Sequence, residues 1–157
     1  MLPGLVMAVA GMLLLTQIDQ DSSYWALIFP AMALMSVGMA GVFIPASSTA
    51  LVGVGSHDAG VASAVLNTSQ QIGGSLGTAL LNTLFAGAVT TYFTTHPPAS
   101  PEQAPQILPS AFLHGYHVAF FWGAVLLAGA FVVAFAFVNA HKEDIPVDAT
   151  EVANPAA

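Results

Sequence analysis

The chain alternates long apolar stretches with short polar breaks, and its breaks fall at 19–23, near 52–58, across 94–114 and after 140. The first apolar run, MLPGLVMAVAGMLLLTQI at 1–18, reaches roughly 27 Å as a helix, just enough for a bilayer core of about 30 Å. It lacks the basic n-region and small-residue cleavage pattern of a signal peptide, so it reads as a span. Because it opens with no polar lead-in, the chain is expected to begin inside something longer. The second run, 24–46, starts on Tyr24 and Trp25, an aromatic pair suited to the headgroup level. It carries Pro30, read as an ordinary kink, and Pro45, read as the fraying end.

The third run, 59–93, follows Asp58, whose carboxylate is placed to cap the free amides of the first helical turn. Some 35 residues exceed a perpendicular span, so this helix must tilt, extend into water or break, and Gly73 and Gly74 are the natural break point. The stretch TTHPPASPEQAPQILPS holds five of the ten prolines, and 94–114 reads as an extended outer loop. A last run, 115–140, is apolar all round, with Phe112, Tyr116, Phe120, Phe121 and Trp122 around its leading end. The tail HKEDIPVDATEVANPAA, 141–157, reads as disordered. The pattern predicts an all-α membrane protein with four transmembrane helices and no internal repeat.

Composition sharpens this picture. Charged residues make up 6% of the chain, mean hydropathy is +0.78, and 56% of residues are hydrophobic. A soluble domain carries about a quarter charged residues, enough to clothe its surface, and this chain cannot do the same. One basic side chain against eight acidic ones excludes a nucleic-acid surface, and the absence of cysteine excludes disulfides and thiolate metal sites. Lys142 is the one basic residue. It assigns the tail to the cytoplasm, with 52–59 on the same side and 19–23 and 94–114 outside.

Polar chemistry concentrates in LNTSQQIGGSLGTAL, 66–80. On a helix Ser63, Asn67, Gln70 or Gln71, Gly74, Thr78 and Asn82 recur at three or four residues and lie along one side. An unsatisfied amide in hydrocarbon costs several kcal/mol, so the stripe must meet protein or a watery cavity. Asn67, Gln70, Gln71, Thr78 and Asn82 are therefore candidates for lining a pathway, with hydrogen-bonded glue between helices as the alternative. Gly73, Gly74 and Gly77, the first and last a G-x-x-x-G pair, are candidates for close helix packing. His114 and His117 lie three apart but lack a third ligand, so no metal site is expected, and no catalytic spacing or cofactor motif joins Ser, His and Asp.

These residues carry a resemblance. Asp58, Ala59, Gly60, Ala62, Ser63, Leu66, Asn67, Gln71, Gly73, Gly74 and Gly77 resemble the penultimate-span signature of the fourteen-span drug:proton antiporters of the major facilitator superfamily, the EmrB/QacA-like branch. GVFIPASSTALVGV, HGYHVAFFWGA and HKEDIP are similar to that family in the same order, so the likeness covers nearly the whole chain. It implies a carboxy-terminal fragment comprising the last four of fourteen spans, which correspond to spans nine to twelve of the twelve-span plan. In that plan the ninth and twelfth are peripheral, and the tenth and eleventh border the cavity. It further implies a plasma or inner membrane location and, as partners, the bilayer, the remaining amino-terminal spans, a small amphipathic substrate and protons. The family's loop motif, antiporter motif and membrane-embedded carboxylates all lie upstream of what is present here. No Asp, Glu, Lys or Arg lies deep in a span, so the chain alone is expected to be inactive in proton-coupled export. A stand-alone four-span protein with an assembly or regulatory role is the alternative.

Overall fold

The structure, a computed structural model, describes residues 1–98, 100 and 103–137; the expectations for Lys142 and the tail lie outside the described residues. Four helices run in chain order: α1 (Leu2–Leu15), α2 (Phe29–Ala50), α3 (Ala59–Thr95) and α4 (Ala104–Phe137), with a wide π turn, Tyr24–Ile28, leading into α2. Three are long and apolar enough to cross a membrane, and α1 is a shorter apolar helix. Its 14 residues reach roughly 21 Å, less than a bilayer core of about 30 Å. Of the four expected spans, three are thus helices of spanning length, and α1 is shorter than the expected 1–18. Past Leu15 the regular bonds give way to tighter ones, from the Gln17 amide to the Leu14 carbonyl (3.0 Å) and from Ile18 to Leu15 (3.4 Å).

Successive helices alternate in direction. A side chain on Gly4 would meet Gly38 and Gly41, whereas one on Gly11 would meet Ala31 and Met35, so α1 and α2 are antiparallel. Met12 lies against Gly123 while Ile18 meets His117, which sets α4 antiparallel to α1. Leu81 approaches Gly123 while Phe85 abuts Gly115, setting α3 against α4 in the same sense. The core therefore centres on α1, which packs on both α2 and α4 and buries Gly4, Leu5, Ala8, Gly11 and Leu15. Within this chain the first run is the hub. The reason is its spacing of small residues, which lets two backbones touch.

Several boundaries differ from the sequence reading. Pro30 stands just after the π turn, where the Phe29 amide donates to the Tyr24 carbonyl five residues back. Proline lacks an amide proton and crowds the carbonyl four residues before it, and the wider turn relieves both. Pro45, expected at a fraying end, lies inside α2. The Thr49 hydroxyl donates to the Pro45 carbonyl at 2.7 Å and Ser48 to Ile44 at 3.0 Å, which binds up the turn that follows it. No break occurs at Gly73 and Gly74, because α3 runs unbroken for 37 residues. Two helical glycines cost about 1 kcal/mol each against alanine, too little to interrupt a ladder of this length. Finally, α4 begins at Ala104, eleven residues before the expected 115. Pro105 falls in its first turn, where a missing amide proton costs nothing.

Candidate functional site

Helix α3 holds the polar stripe in two different environments. Its second half packs on α4: Phe85 lies 4.9 Å from the Tyr116 ring and 6.0 Å from Phe112, and Tyr92 lies 5.6 Å from the His114 ring. Its first half is largely exposed among the described residues, with Val61 68% and Leu76 67% exposed. A side chain added at Gly60, Gly73, Gly74 or Gly77 would meet nothing within 4 Å. The close contact expected at Gly73, Gly74 and Gly77 is thus not made among the described residues. The tight seams lie at Gly4, Gly11 and Gly38 between α1 and α2, and at Gly115, where a Cβ would sit 2.7 Å from Val89 and 2.8 Å from Phe85. The signal for the α1 seam was present in the sequence as Gly4, Ala8 and Gly11 at spacings of four and three, hidden by the uniform apolarity around them.

The five pathway candidates separate along the same line. Asn67 turns its amide back onto its own helix, donating to the Ser63 carbonyl at 3.0 Å. Gln70 and Gln71 are exposed on the uncovered half. Thr78 and Asn82 are exposed as well, and they line an open cleft of about 370 Å³ midway along the long helices. Its walls are Met12 from α1, Leu81 and Phe85 from α3, and Tyr116, Ala119 and Phe120 from α4. Phe85 and Tyr116 were not singled out with the stripe, although Phe85 follows Asn82 by three residues and shares its face.

Asp58 occupies the residue before α3, but its side chain makes no capping hydrogen bond. The backbone there is helical, φ −100° and ψ −4°, rather than extended, and this turns the carboxylate away from the first-turn amides it was expected to meet. The Asp58 amide instead donates to the Gly55 carbonyl at 2.9 Å, closing the 51–58 turn. Gly53, at φ +78°, supplies the left-handed step in that reversal.

At the other end, two hydrogen bonds tie distant segments together. His117 Nε2 meets the Ile18 carbonyl at 2.5 Å, and the Gln20 amide donates to the Ser110 hydroxyl at 2.9 Å. Both join the α1–α2 connection to the start of α4. His117 thus serves as a tie between the α1–α2 connection and α4. Among the described residues no three His, Asp or Glu side chains come together in a metal-binding group.

Comparison with known proteins places this architecture. The chain is 36% identical over 141 residues to a puromycin resistance protein of Streptomyces alboniger, covering 88% of this chain and 27% of that protein. It is 29% identical over 125 residues to a lincomycin resistance protein of Listeria monocytogenes, with 80% and 26% covered. It is 42% identical over 64 residues to a cephamycin export protein of Amycolatopsis lactamdurans, with 41% and 13% covered. The chain thus spans about a quarter of the length of the first two relatives. No family model matches the chain, and no solved structure does. It is a multi-span helical membrane protein related to antibiotic resistance and export proteins.

Proposed function

We propose that this chain is the carboxy-terminal four-span part of a major-facilitator exporter of the fourteen-span drug:proton antiporter branch, located in the cell membrane with its tail in the cytoplasm. The observation that carries the reading is a relationship extending over most of the chain to a resistance protein about four times as long as the matched part. In this reading α1 is the ninth-span equivalent. Its helix is short, but the ordered turn through Ile18 and the interfacial residues beyond it lengthen the segment that meets lipid. The uncovered half of α3, with Asn67, Gln70 and Gln71 on it, fits a helix that borders the substrate pathway or the remaining spans. Export alternates two halves of a transporter around a site near the midplane, and one quarter of the machine cannot do so alone. Proton coupling falls to carboxylates outside this chain, because none lies deep within its helices.

The test is energised export by reconstituted vesicles, measured for the chain alone and for the complete transporter. The complete transporter is expected to move drug or dye against its gradient when a proton gradient is imposed, and the chain alone is expected to move none. Export by the chain alone would remove the partial-transporter reading. Failure of the complete transporter to export any compound under a proton gradient would remove the function.

A further inference from the structure

We propose that the cleft between α1, α3 and α4 binds an uncharged aromatic small molecule bearing an amide or hydroxyl group. This deepens the export reading and takes its biological meaning from it. The argument begins with hydrogen bonds that are missing. Along α3, Thr83, Thr90 and Thr91 each satisfy their hydroxyl by donating to the carbonyl four residues back, at 2.8–2.9 Å, and Asn67 does the same with its amide. Thr78 and Asn82 do not, and neither do the exposed Thr68, Ser69, Gln70, Gln71 and Ser75 nearer the start of α3; what sets Thr78 and Asn82 apart is that their side chains, though exposed, border the aromatic-walled cleft. They sit near the middle of a 37-residue helix, the depth at which water is scarcest and an unpaired amide most costly.

The rest of the cleft defines what can meet them. The rings of Phe85 and Tyr116 are tilted by 46° at 4.9 Å, and those of Tyr116 and Phe120 are stacked at 6.0 Å, which leaves an aromatic wall for another ring. Met12 closes the opposite side with a flexible, polarizable thioether that adapts to the outline of a ligand. No charged side chain lines the cleft, so an ionised ligand would enter without a partner for its charge. About 370 Å³ falls in the range of pockets that hold drug-sized molecules. A lipid acyl chain fits the apolar wall but leaves Thr78 and Asn82 unpaired, whereas an aromatic amide satisfies both.

The probe is 4-benzoylbenzamide, an uncharged diaryl ketone with one carboxamide, photolysed with the full-length protein in lipid nanodiscs and mapped by mass spectrometry. Labelling is expected to saturate, to fall on Met12 or on 116–120, and to be displaced by excess benzanilide but not by diphenylmethane, which lacks the amide. Asn82→Leu is expected to weaken it roughly tenfold, the effect of losing one hydrogen bond to a desolvated amide, while Thr91→Val, outside the cleft, leaves it unchanged. Labelling that fails to saturate, or that diphenylmethane displaces as well as benzanilide does, overturns the proposal, and both measurements use the unaltered protein. Saturable labelling without energised export by the complete transporter removes the export reading and leaves the site; export without saturable labelling does the reverse.

Discussion

A methyl group added to Gly38 would place its carbon 2.6 Å from the Ala8 amide nitrogen and 2.7 Å from the Gly4 carbonyl oxygen, both parts of a backbone that cannot rotate aside. At Gly87 the same methyl meets nothing within 4 Å. The two substitutions therefore have opposite signs. Gly38→Ala forces α1 and α2 apart and is expected to destabilise the protein by about 1–3 kcal/mol, the usual cost of overpacking. Gly87→Ala is expected to be neutral or to gain up to about 1 kcal/mol from helix propensity. Thermal unfolding of both variants in one detergent, followed by circular dichroism, checks the pair; equal losses would mean that the seam is not the tight contact described. The open side of Gly77 makes a separate prediction. If the remaining spans cover α3, Gly77→Leu lowers the amount of complete transporter in the membrane, while Asn67→Leu and Gln71→Leu preserve that amount and change the export of some compounds more than others. Protein level and export rate for several drugs, measured together, decide it. Loss of protein with all three substitutions would make the stripe structural glue.

At the scale of the helices, what could be read from the sequence depended on how apolar a segment was and not on its periodicity. The runs that became α2, α3 and α4 stand out because almost no charge interrupts them. The same uniformity erases the 3.6-residue rhythm that marks a buried face, so the seam of α1 is not legible in its sequence and its apolar run suggests a full span. Proline does not end the helices where the sequence leads one to expect it. Pro45 and Pro109 both lie inside helices, and each removes a single bond that neighbouring groups can offset in an apolar setting. Of the site, the polar stripe was legible because amides are rare in such a run. The walls of the cleft were not, because Met12, Phe85, Tyr116 and Phe120 meet only through the antiparallel packing of three helices. The tie between His117 and Ile18 belongs to this scale as well, since it anchors the frayed end of α1 to α4. His117→Phe keeps the ring and loses the hydrogen bond, worth roughly 1 kcal/mol. Amide exchange in residues 16–22 is expected to accelerate about fivefold, with the centre of α2 unchanged; no change in 16–22 would show that the tie carries no weight.

For the molecule as a whole, the alternation of helix direction fixes which connections share an end. Tight packing of α1 against α2 and α4, together with the Gln20–Ser110 bond, gathers the 16–23 connection and the α3–α4 connection at one end. The 51–58 turn stands at the other, because α2 and α3 lead away from that shared end and back to it. Ser56 and Ser100 therefore occupy opposite ends of a body whose long helices match a bilayer in length and apolarity. With no native cysteine to remove, Ser56→Cys and Ser100→Cys report their side directly. A membrane-impermeant maleimide applied to intact cells is expected to label the residue at 100 and to spare the one at 56, which reacts only after the membrane is opened. Labelling of both from outside would mean that α3 does not cross. Labelling of the residue at 56 alone would keep the antiparallel body and invert it in the membrane, and the cytoplasmic assignment that rests on the single lysine would then be lost.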